Sequence, residues 1–228
     1  MNRIHVLSRS DEAFRDRKDA GKCLGQALKD LHIAADLTLG IPRGGAVVAK
    51  EVSNILNVPL DIVLSRKLAA PNNPELAVGA ISETGKIFLD AVMASSHGAD
   101  KEYIKKESER QKSEMERRAA IFRKMLPKLE LQAKTVIVTD DGLATGATMQ
   151  ASLWAVRQEG ARRLIAAVPV ASAEAVERIS GYCDEVVVLK LPDFFGAVGQ
   201  FYVKFDQTAD AEVIDILKEE FTARTWRV

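Results

Sequence analysis

The sequence predicts an α/β fold: a doubly wound, mainly parallel sheet of about five strands with a small hood and a β-hairpin lid. Three observations carry this. Short apolar runs rich in β-branched residues recur at 36–41, 60–65, 135–139, 164–168 and 186–189, as expected of parallel strands buried on both faces. Segments 44–56, 146–159 and 173–180 alternate with them and read as helices, which implies right-handed crossovers in an open sheet. The 228 residues are enough for one sizeable core, so the chain reads as a single domain with its core at about 36–190 and a hood from 1–35 and 191–228.

The N-terminal stretch 11–32 carries Phe14, Ala20, Leu24, Leu28 and Leu31 at spacings near three and four, which predicts an amphipathic helix. Two regions break the strand–helix alternation. Residues 69–90 contain Pro71-Asn72-Asn73-Pro74 and then two short runs around Glu83-Thr84-Gly85, the pattern of a loop leading into a β-hairpin. Residues 100–126 form a charge-dense helix with Ile104, Ser108, Met115, Ala119, Phe122 and Leu126 on a narrow stripe, so one face packs and the other is solvated. A C-terminal helix is expected near 209–221.

Composition excludes several classes. Lys plus Arg and Asp plus Glu number 32 each, so no global field draws the chain onto nucleic acid or anionic lipid. No apolar run approaches the roughly 20 residues of a membrane helix, and the N-terminus lacks a signal-peptide core; the lone cysteines fit a reducing cytosol, so a cytoplasmic protein is expected. Cys23 and Cys183 stand alone and are read as two buried thiols rather than a disulfide. His5, His32 and His97 have no metal-ligand spacing and read as surface or packing residues.

The most informative stretch runs from Thr135 to Thr148: an apolar strand, Asp140-Asp141, then a small-residue turn into a helix. Ligands of open α/β sheets sit beyond the carboxyl ends of the strands, where this segment lies. Backbone N–H groups at a helix N-terminus, opened by Gly146 and Ala147 and joined by the Thr145 and Thr148 hydroxyls, suit a phosphate monoester. Asp140 and Asp141 can accept hydrogen bonds from vicinal sugar hydroxyls. A phosphate site beside a diol site describes a ribose 5-phosphate.

This arrangement closely resembles the phosphoribosyl-pyrophosphate-binding motif of type I phosphoribosyltransferases, and the resemblance covers roughly 36–206 in matching order. Gly40-Ile41-Pro42-Arg43-Gly44-Gly45 occupies the place of the family's pyrophosphate loop, its glycines letting N–H groups approach an anion and Arg43 adding charge. The GxxxxGK[ST] spacing of a P-loop is absent. Arg66-Lys67, read at the end of the second strand, would place cations at the same sheet edge to stabilise a leaving pyrophosphate. By position 69–89 resembles the flexible loop that closes over the family's active site and excludes water. Residues 191–202 are similar to the hood that holds the acceptor base, with Phe194 or Phe195 stacking on it or both forming hood core.

The resemblance implies transfer of a 5-phosphoribosyl group from phosphoribosyl pyrophosphate to a small nitrogenous base, with Mg²⁺ bridging pyrophosphate and ribose. Dimers are common in this fold family. It assigns Asp140 and Asp141 to the ribose diol and the metal, and Lys67, Arg43, Gly44 and Gly45 to the pyrophosphate. Ala144, Thr145, Gly146, Ala147 and Thr148 take the 5-phosphate. Ala144 is a departure: 6-oxopurine enzymes of the family carry a proton-handling acid there, and alanine transfers no proton. A non-catalytic phosphoribosyl-pyrophosphate or nucleotide sensor is the alternative from another class, and a protein–protein scaffold built on the 100–126 helix a third.

Overall fold

The structure is a computed structural model that describes residues 3–226; residues 1–2 and 227–228, the outermost parts of the expected hood, lie outside them. In chain order the strands are β1 (Arg3–Ser8), β2 (Leu37–Gly40), β3 (Leu60–Ile62), β4 (Ser65–Ala70), β5 (Asn73–Ser82), β6 (Ile87–Leu89), β7 (Thr135–Thr139), β8 (Arg163–Val170) and β9 (Glu185–Lys190). The helices are α1 (Arg17–Asp30), α2 (Gly44–Leu56), α3 (Ala91–Ser96), α4 (Lys101–Phe122), α5 (Ala147–Gln158), α6 (Ala173–Ser180) and α7 (Asp210–Trp226).

Six strands form one parallel sheet in the order β1-β9-β8-β7-β2-β3. The period-2 alternation of a strand divides its residues between two cores. Val136 and Val138 of β7 face the cluster built with Met149, Leu153 and Val156 of α5 and Val176 and Ile179 of α6. Ile137 between them faces the opposite cluster, with Leu24 and Leu28 of α1 and Val48 and Val52 of α2. The sheet is therefore wound on both faces, as the sequence predicts.

The sixth strand is the difference. β1 pairs with β9 at the sheet edge and is mostly exposed, Ile4, Val6 and Leu7 included, so it carries none of the apolar density that marks a buried strand. The N-terminal piece read as hood thus supplies a sheet edge, while α1 packs on the sheet face beside α2. Phe14 bridges to Tyr202, which joins this piece to the segment after β9. Both cysteines are free, but only Cys183 is buried; Cys23 sits on the outer flank of α1, next to the buried Leu24.

The apolar run 60–65 splits rather than forming one strand: β3 ends at Ile62 and Ser65 begins β4, which leaves the main sheet. Arg66 and Lys67 consequently lie within β4, not at the end of a main-sheet strand. β4, β5 and β6 form a three-stranded antiparallel sheet, larger than the expected hairpin. It packs on the body because its inner face is apolar: Leu68, Val78 and Ile81 are buried with Met115 and Phe122 of α4. Phe88 meets Trp154 of α5 at 4.4 Å between ring centroids.

A buried ion cluster fastens this sheet. Arg123, just past α4, donates to Asp61 Oδ1 at 2.6 Å, to Glu83 Oε1 and Oε2 at 2.6 and 2.8 Å, and to the Ile62 carbonyl at 3.1 Å. The two carboxylates hold its guanidinium protonated above its ordinary value despite burial. Removing one member of a buried pair leaves uncompensated charge, typically costing about 3–5 kcal/mol. Arg123→Met should lose stability on that scale in urea denaturation, whereas Lys218→Met, which breaks an exposed pair with Asp215, should cause no measurable loss.

Candidate active site

The strand order reverses between β7 and β2: β2 leads through α2 to β3 on one side, and β7 leads through α5 to β8 on the other. The two helices lie on opposite faces, so the crevice at the carboxyl ends of β2 and β7 is the topological switch point of the sheet. Both sequence-predicted anion loops, 40–45 and 140–148, start there.

They touch directly. A Cβ on Gly44 would stand 2.0 Å from Asp141 Oδ2, and one on Gly45 would stand 2.8 Å from the Thr139 carbonyl and 2.9 Å from Asp140 Oδ1. A side chain at position 45 would press on the Thr139–Asp140 backbone and force the loops apart, and one at position 44 would displace the Asp141 carboxylate. These glycines thus serve loop-on-loop contact, a constraint beyond the anion approach read from sequence. The Arg43 side chain lies at the rim, with Nη1 3.8 Å from Asp210 Oδ1 at the start of α7.

Helix capping separates two classes of helix. Asp16, Asp90, Asp100 and Ser172 cap α1, α3, α4 and α6 with side-chain acceptors. The N-cap residues of α2 and α5, Arg43 and Gly146, contribute no side-chain cap; Ala46 N donates instead to the Arg43 carbonyl at 3.1 Å, Gly45 N–H to the Asp140 carboxylate, and Ala147 N to Thr145 Oγ1 at 3.4 Å. Gly146 has φ of 74°, a left-handed conformation that favours glycine. The turn before it is held from below: the Ser172 hydroxyl donates to the Ala144 carbonyl at 2.7 Å, and Leu143 N donates to the Val170 carbonyl at 2.9 Å. Ala144, Thr145 and Thr148 are exposed, while Gly146 and Ala147 are buried.

The two acids occupy different settings. Asp140 Oδ1 accepts from the Asp141 backbone N–H at 2.9 Å, and burial together with the Asp141 carboxylate pushes its carboxyl well above the ordinary range. Asp141 Oδ2 accepts from Arg17 Nε at 2.7 Å, with both side chains largely buried. Arg17 also donates to the Asp206 carbonyl at 2.7 Å and stacks over Phe205 at 4.0 Å. Phe205 lies on Tyr202, and the Tyr202 hydroxyl donates to the Asp141 carbonyl at 2.5 Å. Burial and the Asp141 charge push that phenol up. Arg17 and Tyr202 were not singled out from sequence, since 124 and 61 residues separate them from Asp141 and no local motif marks them.

Of the two candidate aromatics, Phe195 is packed against Phe201 at 5.2 Å and belongs to the core, whereas Phe194 is 79% exposed. Lys67 lines a cavity of about 110 Å³ with Ile41, Pro42 and Thr148, which joins it to both anion loops. Among the described residues no three His, Cys, Asp or Glu side chains form a metal cluster, and no helix is long and apolar enough to cross a membrane.

Paired carboxylates and two helix N-termini whose N-cap side chains make no capping hydrogen bond meet at the switch point of a mainly parallel sheet in this α/β protein. The phosphoribosyl transferase domain model matches residues 16–206, and the chain belongs to that family. Two Mycobacterium tuberculosis proteins, MT0597 of strain CDC 1551 / Oshkosh and Rv0571c of strain H37Rv, both named "Putative phosphoribosyl transferase", are each 43% identical over 205 residues. The match takes in 90% of this chain but 46% of theirs, so the chain spans about half the length of these curated relatives. The crystal structure of TT1426 from Thermus thermophilus is 46% identical, with a TM-score of 0.86, covering 91% of this chain and 98% of that one.

The crowding of Asp140 predicts a stability cost borne for the site. A carboxyl raised in the folded state destabilises the fold as pH climbs from its unfolded value through its folded one, fully so above both. Asp140→Asn should therefore raise the thermal midpoint of the ligand-free protein at neutral pH, by about 2–4 °C for a chain of this size. The gap should close in acid, where Asp140 is neutral in both states; a midpoint that falls at neutral pH would contradict the crowding.

Proposed function

We infer that the protein transfers a 5-phosphoribosyl group from phosphoribosyl pyrophosphate to a nitrogenous base, releasing pyrophosphate. The observation that carries this is the pairing of two helix N-termini that lack side-chain caps with Asp140 and Asp141 across one switch point. One anion site beside a diol acceptor fits a sugar phosphate; a second anion site on the adjoining strand fits a sugar that is phosphorylated at both ends.

In this reading the N–H groups and hydroxyls of Thr145 to Thr148 take the 5-phosphate. Asp140 accepts from the ribose diol, and Asp141 is oriented for the same task by Arg17 and the Tyr202 hydrogen bond. Arg43, Gly44, Gly45 and Lys67 face the pyrophosphate. Such placement fixes the ribose while charge develops on the leaving group. The donor set suits Mg²⁺, which is usually held by one or two carboxylates plus substrate phosphates rather than by an all-protein cage. Asp140 and Asp141 would hold it, and when bound it would neutralise charge on the leaving pyrophosphate.

Acceptor chemistry falls to the hood. The exposed Phe194 ring offers a stacking face, and Phe195 supports the segment from beneath. Ala144 carries no proton, so the acceptor's proton is handled from elsewhere.

Calorimetric titration of the purified protein with phosphoribosyl pyrophosphate should give saturable binding that strengthens with Mg²⁺. Replacing Asp140 and Asp141 by Asn should weaken it about tenfold or more. Pyrophosphate release in a screen of purine and pyrimidine bases would then separate the enzyme from a sensor of the same ligand. Absence of binding at millimolar concentration would remove the reading altogether.

A further inference from the structure

The charge-dense helix α4 holds two inward arginines with opposite treatment. Arg123 at its end is saturated by two carboxylates and a carbonyl. Arg118, one turn earlier, is 26% exposed, and its buried Nε has no hydrogen-bond partner. Its neighbours on the outer face differ again: Arg110 and Arg117 are 70% and 60% exposed and each hydrogen-bonds a glutamate three residues back.

Arg118 lines the same 110 Å³ cavity as Arg66, Lys67 and Thr148. A single carboxylate serves the guanidinium groups around it. Glu114 Oε1 lies 3.2 Å from Arg66 Nη2, 3.0 Å from Arg117 Nη2 and 3.6 Å from Arg118 Nε. Of these, Arg66 and Arg118 line the cavity, and its lining among the described residues holds three cations, Lys67 included, and no carboxylate. Burial, and beside it the Arg118, Arg117 and Arg110 charges, push the Arg66 guanidinium below its ordinary value against the opposing pull of Glu114. A cavity several times the space of one water, lined by cations in excess, is built for a polyanion.

We propose that α4 supplies Arg118 as a binding residue for the pyrophosphate moiety of the donor, completing with Arg66 and Lys67 a cationic pocket opposite the 41–45 loop. The proposal rests on the phosphoribosyl-transfer reading and extends it to an element that carries none of the sequence motifs. Glu114 is then the group that keeps the empty pocket tolerable: it holds the arginines in place and yields part of their charge when the polyanion enters. Selectivity follows from charge number. A ligand with only a single phosphate is satisfied at the α5 N-terminus and gains little here, whereas a diphosphate at the other end of the ribose reaches the pocket.

The test compares three probes, inorganic pyrophosphate, phosphoribosyl pyrophosphate and ribose 5-phosphate, titrated calorimetrically with Mg²⁺ into the full chain. Arg118→Met should weaken the first two about tenfold and leave ribose 5-phosphate within twofold. Glu114→Gln should strengthen pyrophosphate binding, because it removes the competing anion. A purely structural Arg118–Glu114 pair predicts the same loss for both variants and all three probes, and that result would overturn the proposal. So would an Arg118→Met protein that binds pyrophosphate as the parent does. Failure of the parent itself to bind phosphoribosyl pyrophosphate would instead remove the underlying reading, and the proposal with it. Should Arg118→Met fail to fold, Arg118→Lys and Glu114→Gln keep the comparison: loss of pyrophosphate binding in Glu114→Gln overturns the proposal by itself.

Discussion

The close approach of Gly44 and Gly45 to residues 139–141 is the constraint on which the site depends. A Cβ on Gly45 would stand 2.8 Å from the Thr139 carbonyl and 2.9 Å from the Asp140 Cα, so the two backbones meet only where position 45 has no side chain, while Gly44 faces the Asp141 carboxylate. That closure presses two aspartates into a half-buried crevice, where like charges disfavour each other and burial disfavours both. The remainder of the neighbourhood answers this problem. Arg17 supplies the counter-charge to Asp141, and so the first turn of α1 is committed to the site. Phe205 and the Asp206 carbonyl hold Arg17, and Tyr202 reaches the Asp141 carbonyl, so the segment after β9 is committed as well. Both terminal parts of the chain are thus tied to one carboxylate pair, which explains why the hood is built from pieces so far apart in sequence.

How legible this was depended on whether a feature is local. The strand β7 matches the apolar run 135–139, and α2 and α6 match 44–56 and 173–180, because burial on both sheet faces and helix periodicity are written in consecutive residues. The paired acids and the turn into α5 were legible for the same reason. β1 was not: an edge strand with one solvated side and a mixed Arg-Ile-His-Val-Leu-Ser composition has no distinctive density, and its pairing partner lies about 180 residues away, where His5 meets Glu185. The run 60–65 was over-read because nothing in Leu60 to Leu64 signals that β3 ends and a second sheet begins. Arg17, Tyr202 and Arg118 were hidden because each acts across the fold. A charged residue in a polar helix reads as solvated until packing shows which way it points.

The same limit applies to the aromatic pair at 194–195. Adjacent residues in an irregular segment point in different directions, so one of them entering the core leaves the other outside; packing against Phe201 determines that Phe195 is the inner one. No pattern in the sequence separates the two, since both are phenylalanine and the pair sits between one charged residue and one glycine.

Helix α4 treats two inward arginines differently, and the contrast is what the proposed binding role rests on. Desolvating a guanidinium is costly unless its donors are met, so an arginine kept for architecture should be surrounded by acceptors. Arg123 obeys this rule, with Asp61, Glu83 and the Ile62 carbonyl in hydrogen-bond range, and it fastens the three-stranded sheet to β3. Arg118 breaks it, with a buried Nε and only a shared carboxylate at 3.6 Å. A fold that merely needed to bury that surface would have used an apolar residue, as it does at Met115 one turn away. Holding a cation there is a standing cost in the empty protein, which a ligand bringing negative charge would offset under the proposed binding role. By the same logic the crowded Asp140 and the under-compensated Arg118 are opposite halves of one arrangement. Under the proposed function the crowded carboxylates lie at the sugar end and the arginines at the leaving-group end, and a magnesium-bound sugar pyrophosphate would relieve both at once.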